Sequence, residues 1–159
     1  MIVEKSVGEL IKIIELDETI DFSLPSLEGY CYSGSSVWYF TKFFDEYVAK
    51  IIRTANIEKP VGLIAAFDNS VIYGNKQNTK LPLKVKCFKG INGTVIQIED
   101  SGEGFDFKET QRGFENEEKY YQNGGKGWKR FNRLDVLVSF EGKGNIINLL
   151  YLNPKSSSN

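Results

Sequence analysis

Residues 94–106 read Thr-Val-Ile-Gln-Ile-Glu-Asp-Ser-Gly-Glu-Gly-Phe-Asp, an apolar alternating run that ends in an acidic, glycine-containing turn. The alternation predicts a strand over 94–99, and Asp100 follows it directly, ahead of Gly102 and Gly104. A carboxylate at a strand end can face the hydrogen-bonding edge of a ligand, while the glycines let the backbone fold closely around it. The stretch therefore predicts a sheet with one wall of a ligand pocket at the end of this strand, although alone it is also typical of an ordinary strand-end turn.

A second glycine cluster, Gly124, Gly125 and Gly127, follows further along the chain. Glycines that open a helix offer unobstructed N–H groups to a phosphate, and Lys126 adds positive charge there. The same residues are also typical of a flexible loop that leads into a solvated helix face. Together the two clusters predict two walls of one nucleotide pocket, with a mobile polar segment between them.

Composition excludes several classes of function. The chain has 159 residues and a net charge of −1, so no global field attracts nucleic acid or an anionic membrane. The length predicts one domain over 1–152 with a flexible tail over 153–159. No apolar run approaches a membrane span, and the two cysteines, Cys31 and Cys87, lack metal-binding spacing. We expect a cytoplasmic protein with reduced thiols.

The sequence contains no histidine. This excludes a Ser-His-Asp triad, a histidine-based zinc site and a phosphohistidine relay within the chain. Any chemistry here must therefore use carboxylates, amides, lysines, backbone groups or a bound metal.

Periodicity along the chain predicts the remaining elements. Loose alternation over 9–24 indicates one or two strands, and apolar residues at helical spacing indicate a long helix that begins at Ser35 or Ser36 and ends near Thr54. The other predicted elements are a second helix from Pro60 to Gly74-Asn75, a hairpin of 81–88 with 94–99, a loop or short helix over 105–122, a third helix over 127–134, and a closing hairpin of 136–140 with 146–152.

This order of elements predicts an α+β fold, specifically a two-layer α/β sandwich in which a mixed sheet carries helices on one face. The second helix is unusual because Asp68 and Asn69 interrupt an otherwise apolar sequence. Asn is a poor residue inside a helix, and a buried amide needs partners. A magnesium ion that carries nucleotide phosphates would supply one, since Asn offers a hard oxygen ligand. Otherwise Asn69 is a buried amide bonded to neighbouring backbone.

Three motifs in order, Ala66-x-x-Asn69, Asp100-x-Gly102-x-Gly104 and Gly125-x-Gly127, resemble the N, G1 and G2 boxes of the GHKL ATPase superfamily. That superfamily includes DNA gyrase and the histidine kinases. The chain is most similar to the bacterial anti-sigma factor serine kinases, which are small stand-alone members. The resemblance covers about residues 18–152 and implies the Bergerat ATP-binding fold.

The resemblance also implies roles for individual residues. Asn69 would hold Mg²⁺ against the phosphates of ATP, and Asp100 would accept a hydrogen bond from the adenine amino group. Gly102 and Gly104 would bring the backbone close to the base. Residues 105–124 would form a lid over the nucleotide, with Gly125 and Gly127 as its hinge and Lys126 at the phosphate end. The implied partners are a sigma factor and an anti-sigma antagonist that carries a serine, and the implied assembly is a homodimer.

The chain departs from the family at positions that matter for catalysis. Active members have Glu four residues before the N-box Asn, where this chain has Ala65. Tyr73 replaces the histidine that usually ends this box, and Gly144-Asn145 stands where threonine commonly follows glycine. No residue is therefore assigned as catalytic. Two rival hypotheses remain: a degenerate module that binds nucleotide or partners without phosphotransfer, and a protein-interaction domain that binds no nucleotide.

Overall fold

Five strands form one sheet in the order β1-β2-β3-β5-β4. The computed structural model describes residues 1–30, 41–116 and 126–154. The strands are β1 Leu16–Asp21, β2 Lys84–Gly90, β3 Gly93–Glu99, β4 Leu137–Glu141 and β5 Ile146–Leu152. The two predicted hairpins are confirmed as β2–β3 and β4–β5, each of which pairs antiparallel around a short turn.

The helices are interspersed among the strands. The helix α1 spans Val7–Ile13. The helix α2 runs without a break through Thr41–Phe43, a π-helical stretch Phe44–Val48, and Ala49–Ala55; α3 likewise joins Leu63–Asp68 to a π-helical stretch Asn69–Gly74. The last two helices are α4 Phe107–Glu115 and α5 Lys126–Asn132. The second and third predicted helices are therefore confirmed, and the first is confirmed over 41–55, because residues 31–40 lie outside the described ones.

The main hydrophobic core lies between one face of the sheet and α2, α3 and α5. Ile96 and Ile98 on β3 and Leu149 on β5 point into it and are fully buried. Aromatic side chains from α2 and α3 pack edge to face there, with Phe43 and Phe67 at a ring-centroid distance of 5.6 Å. The α+β class is thus observed, with the sheet at the centre of the packing.

The prediction of a mixed sheet is wrong for the five strands, since all four ladders are antiparallel. The one parallel pairing among the described residues is an isolated bridge between Ile2 and Val138 at the β4 edge. Each predicted hairpin already required an antiparallel pair of strands. The two remaining ladders, β1 with β2 and β3 with β5, are antiparallel as well.

The prediction that all helices lie on one face is also wrong, because α1 packs on the opposite face. Its Leu10 and the following Ile14 are fully buried against Val95 and Leu150, whose side chains point away from the main core. Over 9–13 the predicted strand is therefore a helix. The spacing of its apolar residues fits a helix as well as a strand, and the Ser6–Glu9 capping box decides the outcome.

Among the described residues, the helices are all too short or too polar to cross a membrane. Cys87 is a free, buried cysteine on β2, and burial raises the pKa of its thiol to about 11. The other cysteine, Cys31, lies outside the described residues, as do residues 155–159 of the predicted tail.

Candidate functional site

Asp100 lies immediately after the end of β3, as the sequence predicts, and its backbone is anchored on both sides. Its N–H donates to the carbonyl of Asn145 (3.0 Å), and the Asn145 side-chain amide donates back to the Asp100 carbonyl (3.1 Å). Asn145 belongs to the turn between β4 and β5. Asn145, at the position where the resemblance would lead one to expect threonine, therefore holds the backbone of Asp100, the residue predicted to bind the base.

The carboxyl group of Asp100 is buried, with the residue only 5% exposed. Its Oδ1 accepts a hydrogen bond from the Gly102 N–H at 2.8 Å, which forms a tight turn. Among the described residues, Oδ2 has no hydrogen-bond partner in this arrangement. Burial raises the pKa of this carboxyl group, and the Gly102 N–H opposes that rise. A carboxylate oxygen without a donor, on a residue that is largely buried, is the kind of group that a ligand's amino group would satisfy.

Gly74, the last residue of α3, lies directly against the Asp100 carboxyl group. A Cβ added at Gly74 would overlap that group, and a Cβ added at Gly102 would overlap the carbonyl of Gly74. The end of α3 and the turn after β3 therefore approach as closely as backbone allows. This contact joins the helix that carries the predicted N box to the turn that carries the predicted G1 box, two motifs that are far apart in the sequence.

Gly104 brings the same segment against the β4–β5 turn. Its φ of +77° is in the left-handed region that favours glycine, and a Cβ there would overlap the carbonyl of Lys143. The next residue, Phe105, donates its N–H to that carbonyl at 2.8 Å. The three predicted G1 residues, Asp100, Gly102 and Gly104, are thus all engaged in one compact turn.

Asn69 and Asp68 are half-buried on α3, one helical turn or more before Gly74. Within the described part of the chain, the Asn69 side chain makes no hydrogen bond. The alternative interpretation, a buried amide bonded to neighbouring backbone, is therefore not observed. Burial raises the pKa of Asp68 to about 6, and the positive charge of Arg130 on α5 partly offsets this effect. α5 therefore flanks the part of α3 that carries Asn69.

The raised pKa of Asp68 predicts a pH-dependent stability. The folded state binds this proton more tightly than the unfolded chain, so ionisation of Asp68 destabilises the fold progressively as the pH rises from about 4 to about 6. We expect Asp68→Asn to raise the free energy of unfolding by about 1 kcal/mol at pH 7, after discounting for partial exposure, and to change it little below pH 4. Urea denaturation across this pH range measures the difference. A difference that does not vary between pH 4 and pH 7 would contradict the expectation.

Aromatic packing holds α4 and α5 together beside the site. Phe140 on β4 stacks on Trp128 at a centroid distance of 5.0 Å, and Phe105, Phe107 and Phe131 surround it in what we call the Phe140 cluster. The Trp128 indole N–H also donates to the Gln111 side chain on α4 at 2.7 Å. The first part of the predicted lid is therefore a helix packed on the sheet, in agreement with the short helix that the sequence allowed.

The predicted G2 motif lies only partly within the described residues. Gly125 lies outside the described residues, and Lys126 and Gly127 are the first two residues of α5. The described residues also include no group of three or more histidine, cysteine or acidic side chains that could hold a metal ion. A magnesium ion at Asn69 would therefore need ligands from outside this set, which phosphate oxygens would provide.

Sequence reasoning missed two polar residues next to the site. Ser70 follows Asn69 and is 1% exposed, and its hydroxyl is the one buried side-chain polar atom without a partner in the described structure. Asn75 is equally buried, although the sequence marked it only as a helix end. The signal for both was available, since a polar residue at an apolar position of the helix period predicts a buried polar group.

Comparison with protein-family models, with curated proteins and with solved structures finds no match for this chain. The family resemblance therefore depends on the three sequence motifs alone. What can be inferred about function comes from the Asp100 site itself.

Proposed function

We propose that this chain binds ATP with Mg²⁺ at the Asp100 site and acts as a regulator similar to the anti-sigma factor serine kinases. It would bind a sigma factor and a serine-bearing antagonist according to its nucleotide state. The Bergerat fold and a homodimeric assembly belong to the same proposal. If the chain is a kinase, it transfers the γ-phosphoryl group of ATP to that serine.

One observation carries the proposal: the buried carboxyl group of Asp100 has one oxygen bonded to Gly102 and one oxygen without a donor among the described residues. Gly74 and Gly102 lie close to this group, and neither places a side chain over it. An exocyclic amino group, such as that of adenine, is the complementary donor for such an acceptor. The unpartnered Ser70 hydroxyl on the adjoining helix is a buried polar group that an internal water would satisfy.

The residues on α3 fit the other end of a nucleotide. Asn69 is half-buried with an amide that is free of hydrogen bonds among the described residues, so its oxygen can serve as a ligand for Mg²⁺. Helical rise places it roughly 6–8 Å along the axis from Gly74 and the Asp100 carboxyl group. A single ligand lying along α3 could therefore contact both residues.

Ala65 favours a second candidate function, in which nucleotide binding controls partner binding without phosphotransfer. It stands where active members have Glu, and it is 8% exposed within the main core. Alanine cannot act as a general base, whose contribution is typically about 10²–10⁴-fold. ADP formation, assayed on the protein that binds ATP, distinguishes a slow kinase or ATPase from a binding module.

Calorimetric titration with ATP, with and without Mg²⁺, tests the proposal. We expect Mg²⁺-dependent binding by the wild type and affinity about 10- to 100-fold weaker for Asp100→Asn, which turns the charged acceptor into an amide with N–H groups. ATP at a hundredfold excess over Kd should also stabilise the wild type by about 2.7 kcal/mol.

Asp17→Asn is the matched control for that experiment. Asp17 is exposed on the edge strand β1, at the end of the sheet opposite to Asp100, so the same change of charge there lies away from the site. Its ATP affinity should equal that of the wild type. If the wild type shows neither binding heat nor thermal stabilisation, the proposal is overturned in favour of a protein-interaction domain that binds no nucleotide.

A further inference from the structure

Asn75 connects three segments of the chain at the base of the Asp100 site. Its Oδ1 accepts from the Ser101 N–H at 2.8 Å, and its Nδ2 donates to the Pro82 carbonyl at 3.3 Å. Its own N–H donates to the Ser70 carbonyl at 2.8 Å, which closes the π-helical end of α3. Because Asn75 is 1% exposed, these bonds are shielded from water.

The two residues that Asn75 holds lie on either side of the Asp100 carboxyl group. Gly74 precedes Asn75 in the chain and packs against the carboxyl group, while Ser101 follows Asp100 and opens the turn to Gly102. Ser101 is fixed a second time by its hydroxyl, which donates to the Pro82 carbonyl at 3.1 Å. The side chain of Asn75 therefore sets the separation between the end of α3 and the turn.

We propose that Asn75 is a positioning residue that gives the Asp100 site its preference for a base with an amino group. This inference rests on the proposed function. Asn75 touches no ligand atom itself; it holds the turn in which Gly102 occupies Oδ1 and Oδ2 is left to the ligand. Without the Asn75–Ser101 bond the turn can shift, and the carboxyl group no longer has one fixed oxygen for the ligand.

Inosine triphosphate is the appropriate comparison with ATP, because it carries a carbonyl oxygen where adenine has its amino group. A fixed carboxylate oxygen accepts from the amino group and opposes the carbonyl, so the wild type should bind ATP about 10- to 100-fold more tightly. A merely structural role of Asn75 would weaken both nucleotides in proportion. A positioning role instead predicts that loss of Asn75 lowers the ratio of the Kd for inosine triphosphate to the Kd for ATP.

The experiment measures the Kd for ATP and for inosine triphosphate, each with Mg²⁺, on the wild type and on Asn75→Ala. We expect the variant to lose at least about fivefold in this ratio, mainly through weaker ATP binding.

Asn78→Ala is the matched control. Asn78 lies in the same loop, is exposed, and accepts from the Lys80 N–H at 3.1 Å, so its removal should leave the ratio unchanged. If Asn75→Ala does not fold, Asn75→Ser replaces it, because serine keeps a polar group at this buried position while its hydroxyl is too short to replace Oδ1 on the Ser101 N–H. A wild type that binds ATP, with a ratio that Asn75→Ala or Asn75→Ser preserves, overturns the inference. A wild type that binds neither nucleotide overturns the proposed function instead.

Discussion

Replacing Phe140 by alanine is expected to lower the free energy of unfolding by about 4 kcal/mol, the largest effect of any single substitution considered. Phe140 is 6% exposed and contacts four aromatic rings, those of Phe105, Phe107, Trp128 and Phe131. Truncation removes its buried area and leaves a cavity that these rings can fill only in part. Urea denaturation followed by far-ultraviolet circular dichroism measures the change.

Tyr73→Ala is the control for the loss of an aromatic side chain. Tyr73 lies on α3 but is 74% exposed, so its removal should change stability by no more than about 0.5 kcal/mol. A loss below about 1.5 kcal/mol for Phe140→Ala would contradict the description of the Phe140 cluster as a packed core. Because this cluster holds α4 and α5 on the sheet, the variant should also weaken nucleotide binding if the proposed function is correct.

Gly74→Ala is expected to lower the free energy of unfolding by about 3 kcal/mol, although alanine is the better helix former. The added Cβ would overlap the carboxyl group of Asp100. That residue cannot move away freely, because its Oδ1 accepts from the Gly102 N–H and its carbonyl accepts from the Asn145 side chain. If the proposed function is correct, the same substitution should also abolish ATP binding. Thermal denaturation and calorimetric titration of one preparation measure both effects.

Gly8→Ala is the matched control, because a Cβ at Gly8 on α1 would meet only the Ser6 hydroxyl oxygen at 3.6 Å, an ordinary contact. It should be neutral or stabilising by up to about 1 kcal/mol. Combining Gly74→Ala with Asp100→Ala removes the overlap, so the double variant should be at least about 1 kcal/mol more stable than the sum of the single effects predicts. Strict additivity would show that Gly74 and Asp100 do not meet as described.

Most of the elements could be predicted because each depends on a local pattern. Alternation around short turns indicated the hairpins β2–β3 and β4–β5, and apolar spacing with Gly74-Asn75 at its end indicated α3. The exception is α1, where the apolar residues fit both periods and the Ser6–Glu9 capping box was the deciding signal.

The second covered face of the sheet could also have been foreseen from β5. Residues 146–152 read Ile-Ile-Asn-Leu-Leu-Tyr-Leu, a nearly continuous apolar run, and such a strand is buried on both sides. Leu149 faces the main core and Leu150 faces α1. The prediction that helices cover only one face of the sheet was therefore inconsistent with the apolar composition of β5.

By itself, the sequence determined the position of Asp100 at a strand end and the glycines that follow it, because turn chemistry depends on adjacent residues. Only the tertiary structure decided that Gly74 meets the Asp100 carboxyl group, that Asn75 ties α3 to Ser101, and that Asn145 holds the Asp100 backbone. The last two of these contacts join residues 26 and 45 positions apart. They depend on how α3 and the two hairpins pack on one sheet, and no local period of the sequence encodes that packing.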